Sequence, residues 1–156
     1  MANYRSFILA AALMGLCPLA AAGAPTDTAS LEAQYIHCSF RPQDAGCAEA
    51  HQAALKNDDP AAQSVRDAFA DYGRYLAMPA ASLTDQDRAY LKDNNIALPA
   101  DLDAANLSGL HHVIGDRALS GEARRMAVVN YLSRAVEAEL YCAFNACGKP
   151  GGEAMG

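Results

Sequence analysis

Apolar residues recur at spacings of three and four through most of the chain, broken by short polar punctuation, and this is the period of helices with one buried face. From Ala29 onward Leu31, Tyr35 and Cys38 fall at helical spacing, with Asp27, Thr28 or Ser30 available as N-cap. Pro42 opposes helical geometry at the residue before it, so Ser39 to Pro42 should break this helix. A second helix is expected from Gln43 to Lys56, weakened by Gly46 and ended by Asn57-Asp58. Asp59-Pro60 starts a third, since Asp caps and Pro at the first helical position loses no donor. Its predicted stripe is Val65, Ala68, Phe69, Tyr72 and Leu76, and Met78-Pro79 ends it.

Thr84 and Asp87 form a capping box with Asp in place of Glu, heading a short helix that turns Tyr90 and Leu91 inward and exits at Asn94-Asn95. Ile96, Leu98 and Pro99 read as an apolar loop plugging the bundle. Asp101 and Asp103 can cap a fifth helix in which Leu107, Leu110 and Ile114 share a face, ended by Gly115-Asp116. Ser120 caps the last and longest helix, running to Phe144. Met126, Val129, Leu132, Val136 and Leu140 make its stripe, and Val128, Tyr131 and Ala135 extend it sideways. So wide an apolar arc predicts a central helix packed on several partners.

Composition agrees. The 156 residues include 35 Ala but only 5 Val, 4 Ile and 3 Thr, which favours helices and excludes a β-sandwich or barrel. With 52% hydrophobic and 19% charged residues the chain should fold. The expected fold class is therefore all-α, a single-domain bundle of about five to six helices stabilised by two disulfides.

Ahead of this bundle, Ser6 to Leu16 is an apolar run of signal-peptide length, followed by Pro18 and the small residues Ala20-Ala21-Ala22. Pro18 and Gly15 interrupt a stretch already short of the roughly 20 residues that a membrane span needs, so no stable membrane anchor is expected after cleavage. The expected organisation is a cleaved signal peptide over 1–22, a flexible spacer over 23–28, a helical domain over 29–147 and a disordered tail over 148–156. Localisation is then periplasmic or extracellular.

Losing Cys17 with the leader leaves Cys38, Cys47, Cys142 and Cys147, an even count that predicts two disulfides in an oxidising compartment. Three pairings are open. A crossed bond closing a loop on the order of 100 residues would contribute about 4.7 kcal/mol and a short loop roughly 3 or less, whereas oxidation kinetics favours local partners. The cysteine spacings are not those of zinc knuckles, c-type haem or thioredoxin-like redox sites.

The remaining candidate chemistry is sparse. His111 and His112 are adjacent, about 100° apart on a helix, where zinc wants i and i+4. His111 should be buried beside Leu107, Leu110 and Ile114, and His112 should point outward. His37 and His51 could approach each other across the first corner. Ser108-Gly109 lacks the elbow of an α/β-hydrolase. Glu32, Glu49, Glu122, Glu137 and Glu139 read as solvated helix residues. No metal, cofactor or phosphate loop is expected. The net charge of -6, or -7 once Arg5 leaves with the leader, argues against nucleic acid as a partner.

Aspartates gather in the middle third, from Asp58 and Asp59 through Asp67, Asp71, Asp85 and Asp87 to Asp93. With Arg117, Arg124, Arg125 and Arg134 clustered later, one reading is mutual neutralisation on the bundle surface; the alternative is a bipolar surface that recognises a basic partner, with Asp85 and Asp87 as exposed contacts at a helix start. The function expected is that of an exported protein acting by macromolecular binding, such as an inhibitor, immunity or accessory factor. Alternatives are a small envelope hydrolase with an acidic residue or His111 as general base, and a structural envelope component.

Overall fold

A computed structural model describes residues 28–145 and 147; the expected signal peptide, the tail and the spacer up to residue 27 lie outside them, and Thr28, expected in the spacer, is the first residue of a helix. Among the described residues the protein is all-helical, about 70% helix, with no strand. Its elements are α1 (Thr28–Phe40), α2 (Cys47–Ala54), α3 (Pro60–Ala68), α4 (Arg74–Leu76), α5 (Asp85–Asp93), α6 (Ala104–Gly115) and α7 (Gly121–Asn145). A π-helical turn, Phe69–Gly73, joins α3 to α4, so these run as one rod and the described residues form six helical rods.

Three of the predicted caps, at Asp59, Thr84 and Asp103, are present. Asp59 accepts from the Ala61 amide at 2.8 Å, with Pro60 as the first helical residue. Thr84 and Asp87 form both halves of their box, and Asp103 accepts from the Asn106 amide at 2.7 Å. Asn95, at φ 53, makes the left-handed exit after α5. The second helix starts later than expected because Gly46 takes φ 86, a left-handed conformation that opens α2 instead of interrupting it. Cys38 at the end of α1 and Cys47 at the start of α2 face each other across this corner and are bonded, with Cα atoms 5.3 Å apart. Cys142 and Cys147 form the other disulfide at the end of α7, Cα atoms 4.9 Å apart. Both pairs are therefore local.

Two cores result. One gathers Tyr35, Cys38, Cys47, Ala50, Ala54, Ala62 and Val65 among α1, α2 and α3. The other is built on Tyr72, Tyr75, Leu91, Leu110, Val113, Val128 and Tyr131. The α3–α4 rod passes from the first to the second, and its π turn changes the phase of the buried face on the way. This corrects the simple stripe: Val65, Ala68, Tyr72 and Tyr75 are buried, while Phe69 and Leu76 are only half-buried. Gly73 lies in the turn where the rod meets the first corner; a Cβ there would sit 3.0 Å from Pro42.

The stripe predicted for α7 also needs correction. Of Met126, Val129, Leu132, Val136 and Leu140 only Leu132 is buried, and the inward face is Val128, Tyr131, Leu132, Ala135 and Ala138. Tyr131 decides the rotation. Its ring fills the space that Gly109 leaves on α6, where an added Cβ would lie 2.8 Å from the ring's Cζ, and its hydroxyl donates to the Asn106 carbonyl at 3.1 Å. Small Ala135 and Ala138 below it let α7 approach its neighbours closely.

Candidate functional site

A polar cluster lies where the chain between α4 and α5 crosses α6. Ser108, His111 and His112 share one side of α6 by their i, i+3, i+4 spacing; Ser108 and His112 hold the crossing chain, and His111 holds the first turn of α5. Ser108 Oγ accepts from the Ala81 amide at 2.9 Å, His112 Nε2 donates to the Pro79 carbonyl at 2.7 Å, and His111 Nδ1 donates to Asp87 Oδ2 at 2.8 Å. Carbonyl and carboxylate oxygens only accept, so each contact dictates a tautomer: neutral His111 presents its lone pair at Nε2, and neutral His112 at Nδ1.

Asp87 is the centre of this arrangement and is only 4% exposed. Its Oδ2 also receives the Thr84 amide and hydroxyl, both at 2.8 Å. Burial pushes its pKa up, but the hydrogen bonds from His111 and Thr84 and the charge of His111 outweigh it and hold the carboxyl below its ordinary range. The expectation that Asp85 and Asp87 are paired surface contacts is corrected here: Asp85 is exposed, but Asp87 is spent internally. A capping box alone would leave its carboxylate at the surface; His111, arriving from another helix, covers it.

His111 and His112 also border a cavity of about 390 Å³ with Tyr75, Met78, Asp116 and Arg117. Tyr75 donates to Asp116 at 3.0 Å, and Arg74 lies 3.7 Å from the same carboxylate. Burial and the bond to Asp116 raise the Tyr75 pKa. Asp116 is held low by the Ala118 amide, then by Tyr75, against a smaller upward push from burial. His111 is half-buried rather than enclosed, and His112 is half-buried rather than pointing free. The cluster has a proton acceptor at His111 Nε2, but Ser108 is turned to the backbone. Among the described residues no group of three or more His, Cys, Asp or Glu could hold a metal.

The other candidates separate. His37 bonds Asp44 at 2.9 Å, whereas His51 stacks on Phe69 with ring centroids 4.2 Å apart, so the two histidines engage different partners. Glu32, Glu49, Glu122 and Glu137 are exposed as expected. Glu139 is not fully solvated: it is half-buried and accepts from Asn106 Nδ2 at 3.1 Å.

A second candidate surface was visible in the sequence but assigned to the wrong side of the molecule. Met126 (46% exposed), Val136 (36%), Leu140 (56%) and Phe144 (86%) put apolar side chains into solvent along α7. Beside them a recess of about 440 Å³ lies between α7 and the 96–99 loop, lined by Ile96, Pro99, Val129, Leu132 and Val136. Among the described residues no helix is long and apolar enough to cross a membrane.

The fold and these sites define a disulfide-linked all-α protein. No family model, curated protein or solved structure matches the chain.

Proposed function

We propose that this is an exported protein that acts by binding another macromolecule, in the manner of an inhibitor, immunity or accessory factor. The observation that carries the reading is the outward apolar face of α7. A helix that buries Val128, Tyr131, Ala135 and Ala138 on one side leaves Met126, Val136, Leu140 and Phe144 on the other, next to an open recess. Apolar side chains clustered beside a recess are the usual mark of an interaction surface. Export is supported by the two disulfides, which persist in oxidising compartments.

The test is affinity capture from an envelope fraction with wild-type protein and a Val136→Asp, Leu140→Asp double variant as baits. Both positions are exposed, so the variant should melt like wild type while losing the partner. Equal capture by both baits, or capture by neither, refutes a binding role for this face.

The Asp87–His111 pair supports a second reading, a small hydrolase in which His111 Nε2 takes a proton from water in the adjoining cavity. Turnover of ester or peptidoglycan substrates that falls on the order of 100-fold in His111→Gln would establish it. Turnover unchanged by that substitution would remove it.

A further inference from the structure

We infer that the partner presents a cationic amphipathic segment, lying across α7 with an apolar side chain on one side of the helix and a lysine or arginine on the other; this rests on the binding role proposed above. The apolar recess against the 96–99 loop has a neighbour. On the other flank of α7 a smaller recess, about 200 Å³, is lined by Asp67, Asp71, Tyr72, Asn130 and Arg134. Ser133 and Glu137 line both recesses, so the two meet along a single i, i+4 row of α7.

That row sets the shape of the occupant. Ser133 is exposed and small, and it lowers the ridge between the two recesses at the point where a crossing segment would press closest. Val129, Leu132 and Val136 offer apolar contact on one flank. On the other, Asp67, Asp71 and Glu137 face a single guanidinium, Arg134, which is already bound to Glu137 at 3.1 Å and lies 5.1 Å over the Phe40 ring. Asp67 accepts from Gln63 at 2.7 Å, and Asp71 is exposed. The flank therefore carries a negative excess beside an apolar hole. A segment with a Leu-like residue and, about one helical turn away, a Lys or Arg matches both. The chain's net charge of -6 attracts such a partner at long range and opposes a second copy of itself.

The probe is a labelled helical peptide of roughly 18 residues, long enough to hold a helix, with Leu at i, i+4 and i+7 and Lys on the flanking positions. Binding is read by fluorescence anisotropy against the full chain. Wild type should bind it, and should bind neither a Glu-for-Lys nor a Ser-for-Leu version. Asp67→Lys with Asp71→Lys should weaken binding at least ten-fold, and Ser133→Arg should do the same by filling the ridge. Glu49→Lys with Asp85→Lys makes the same charge change at residues lining neither recess and should leave affinity within two-fold.

Equal weakening by the two charge-reversed pairs would mean attraction by net charge alone, and binding of the Ser-for-Leu peptide would mean that the apolar recess is unused; either overturns the inference. Self-association through this face, seen as a dimer in sedimentation that Ser133→Arg abolishes, also overturns it. A native partner lost with Val136→Asp, Leu140→Asp but kept with Asp67→Lys, Asp71→Lys would leave the binding role standing and the cationic segment refuted. Absence of any native partner removes both.

Discussion

The two cores reach stability by different means. The first is made mostly of alanine and cysteine: Cys38, Cys47, Ala50, Ala54 and Ala62 surround Tyr35 and Val65. Side chains this small bury little apolar area each, at roughly 25 cal/mol per Å², so packing alone is a weak clamp. A disulfide closes the corner between α1 and α2, and Arg66 reaches from α3 to the carbonyls of Ala54, the last residue of α2, and Asn57 just beyond it. The second core is built on Tyr72, Tyr75 and Tyr131, each with a partner for its hydroxyl: Asn106 Oδ1 at 2.6 Å, Asp116 at 3.0 Å and the Asn106 carbonyl at 3.1 Å. Burial raises the pKa of both Tyr72 and Tyr131 well above the ordinary tyrosine value, so these hydroxyls stay neutral donors. Small residues bring backbones close but need fastening; large aromatic ones supply area and orientation together.

The sharpest way to break this contrast is Tyr131→Ala. Losing a buried aromatic ring against Gly109 should cost about 4 kcal/mol in urea unfolding, the upper range for large-to-small core changes. A loss below roughly 1 kcal/mol would show that the second core does not depend on its tyrosines.

Next in size is Cys38→Ser with Cys47→Ser, expected to cost about 2–3 kcal/mol from a closed loop with a sequence separation of 9. Hydrogen exchange should rise first in α1 and α2, leaving α6 and α7 protected.

A smaller effect belongs to the polar crossing between the helices. Thr84→Ala should cost about 1 kcal/mol by removing the cap. The sign of its pH dependence follows from Asp87, whose folded pKa lies below the ordinary 3.8. Its ionised form is favoured by folding, so its contribution is fully present above the unfolded value and is lost as pH falls from about 3.8 through the lower folded pKa. Asp87→Asn should therefore be less stable than wild type at neutral pH and converge toward it in acid. Parallel acid limbs in the two proteins would contradict the assignment.

The smallest change is expected at the second disulfide. Cys142→Ser with Cys147→Ser opens a loop at a helix end where Ala143, Phe144 and Asn145 are exposed, so local fraying should absorb the loss. Less than about 1 kcal/mol is predicted, in thermal or urea melts alike. If this bond mattered as much as Cys38–Cys47, covalent fastening would not be special to the alanine-rich core.

What the sequence determined by itself was local. The caps at Asp59, Thr84 and Asp103, the exit at Asn95 and the all-helical class follow from backbone hydrogen bonds satisfied within a few residues, and the spacing of apolar positions was enough to find the helices. Tertiary structure decided what depends on two elements meeting. Periodicity identified α7 as amphipathic but placed Met126, Val136 and Leu140 inside; Tyr131 needed the space at Gly109 and the Asn106 carbonyl, both on α6, and turned those residues out to make the candidate surface. The box at Thr84 was readable, yet whether Asp87 faced solvent or His111 depended on where α6 crossed, a separation of 24 residues that no local rule spans. The pairing of Cys38 with Cys47 likewise waited on Gly46, whose left-handed backbone turns α2 back against α1 and brings two of the four sulfurs within reach.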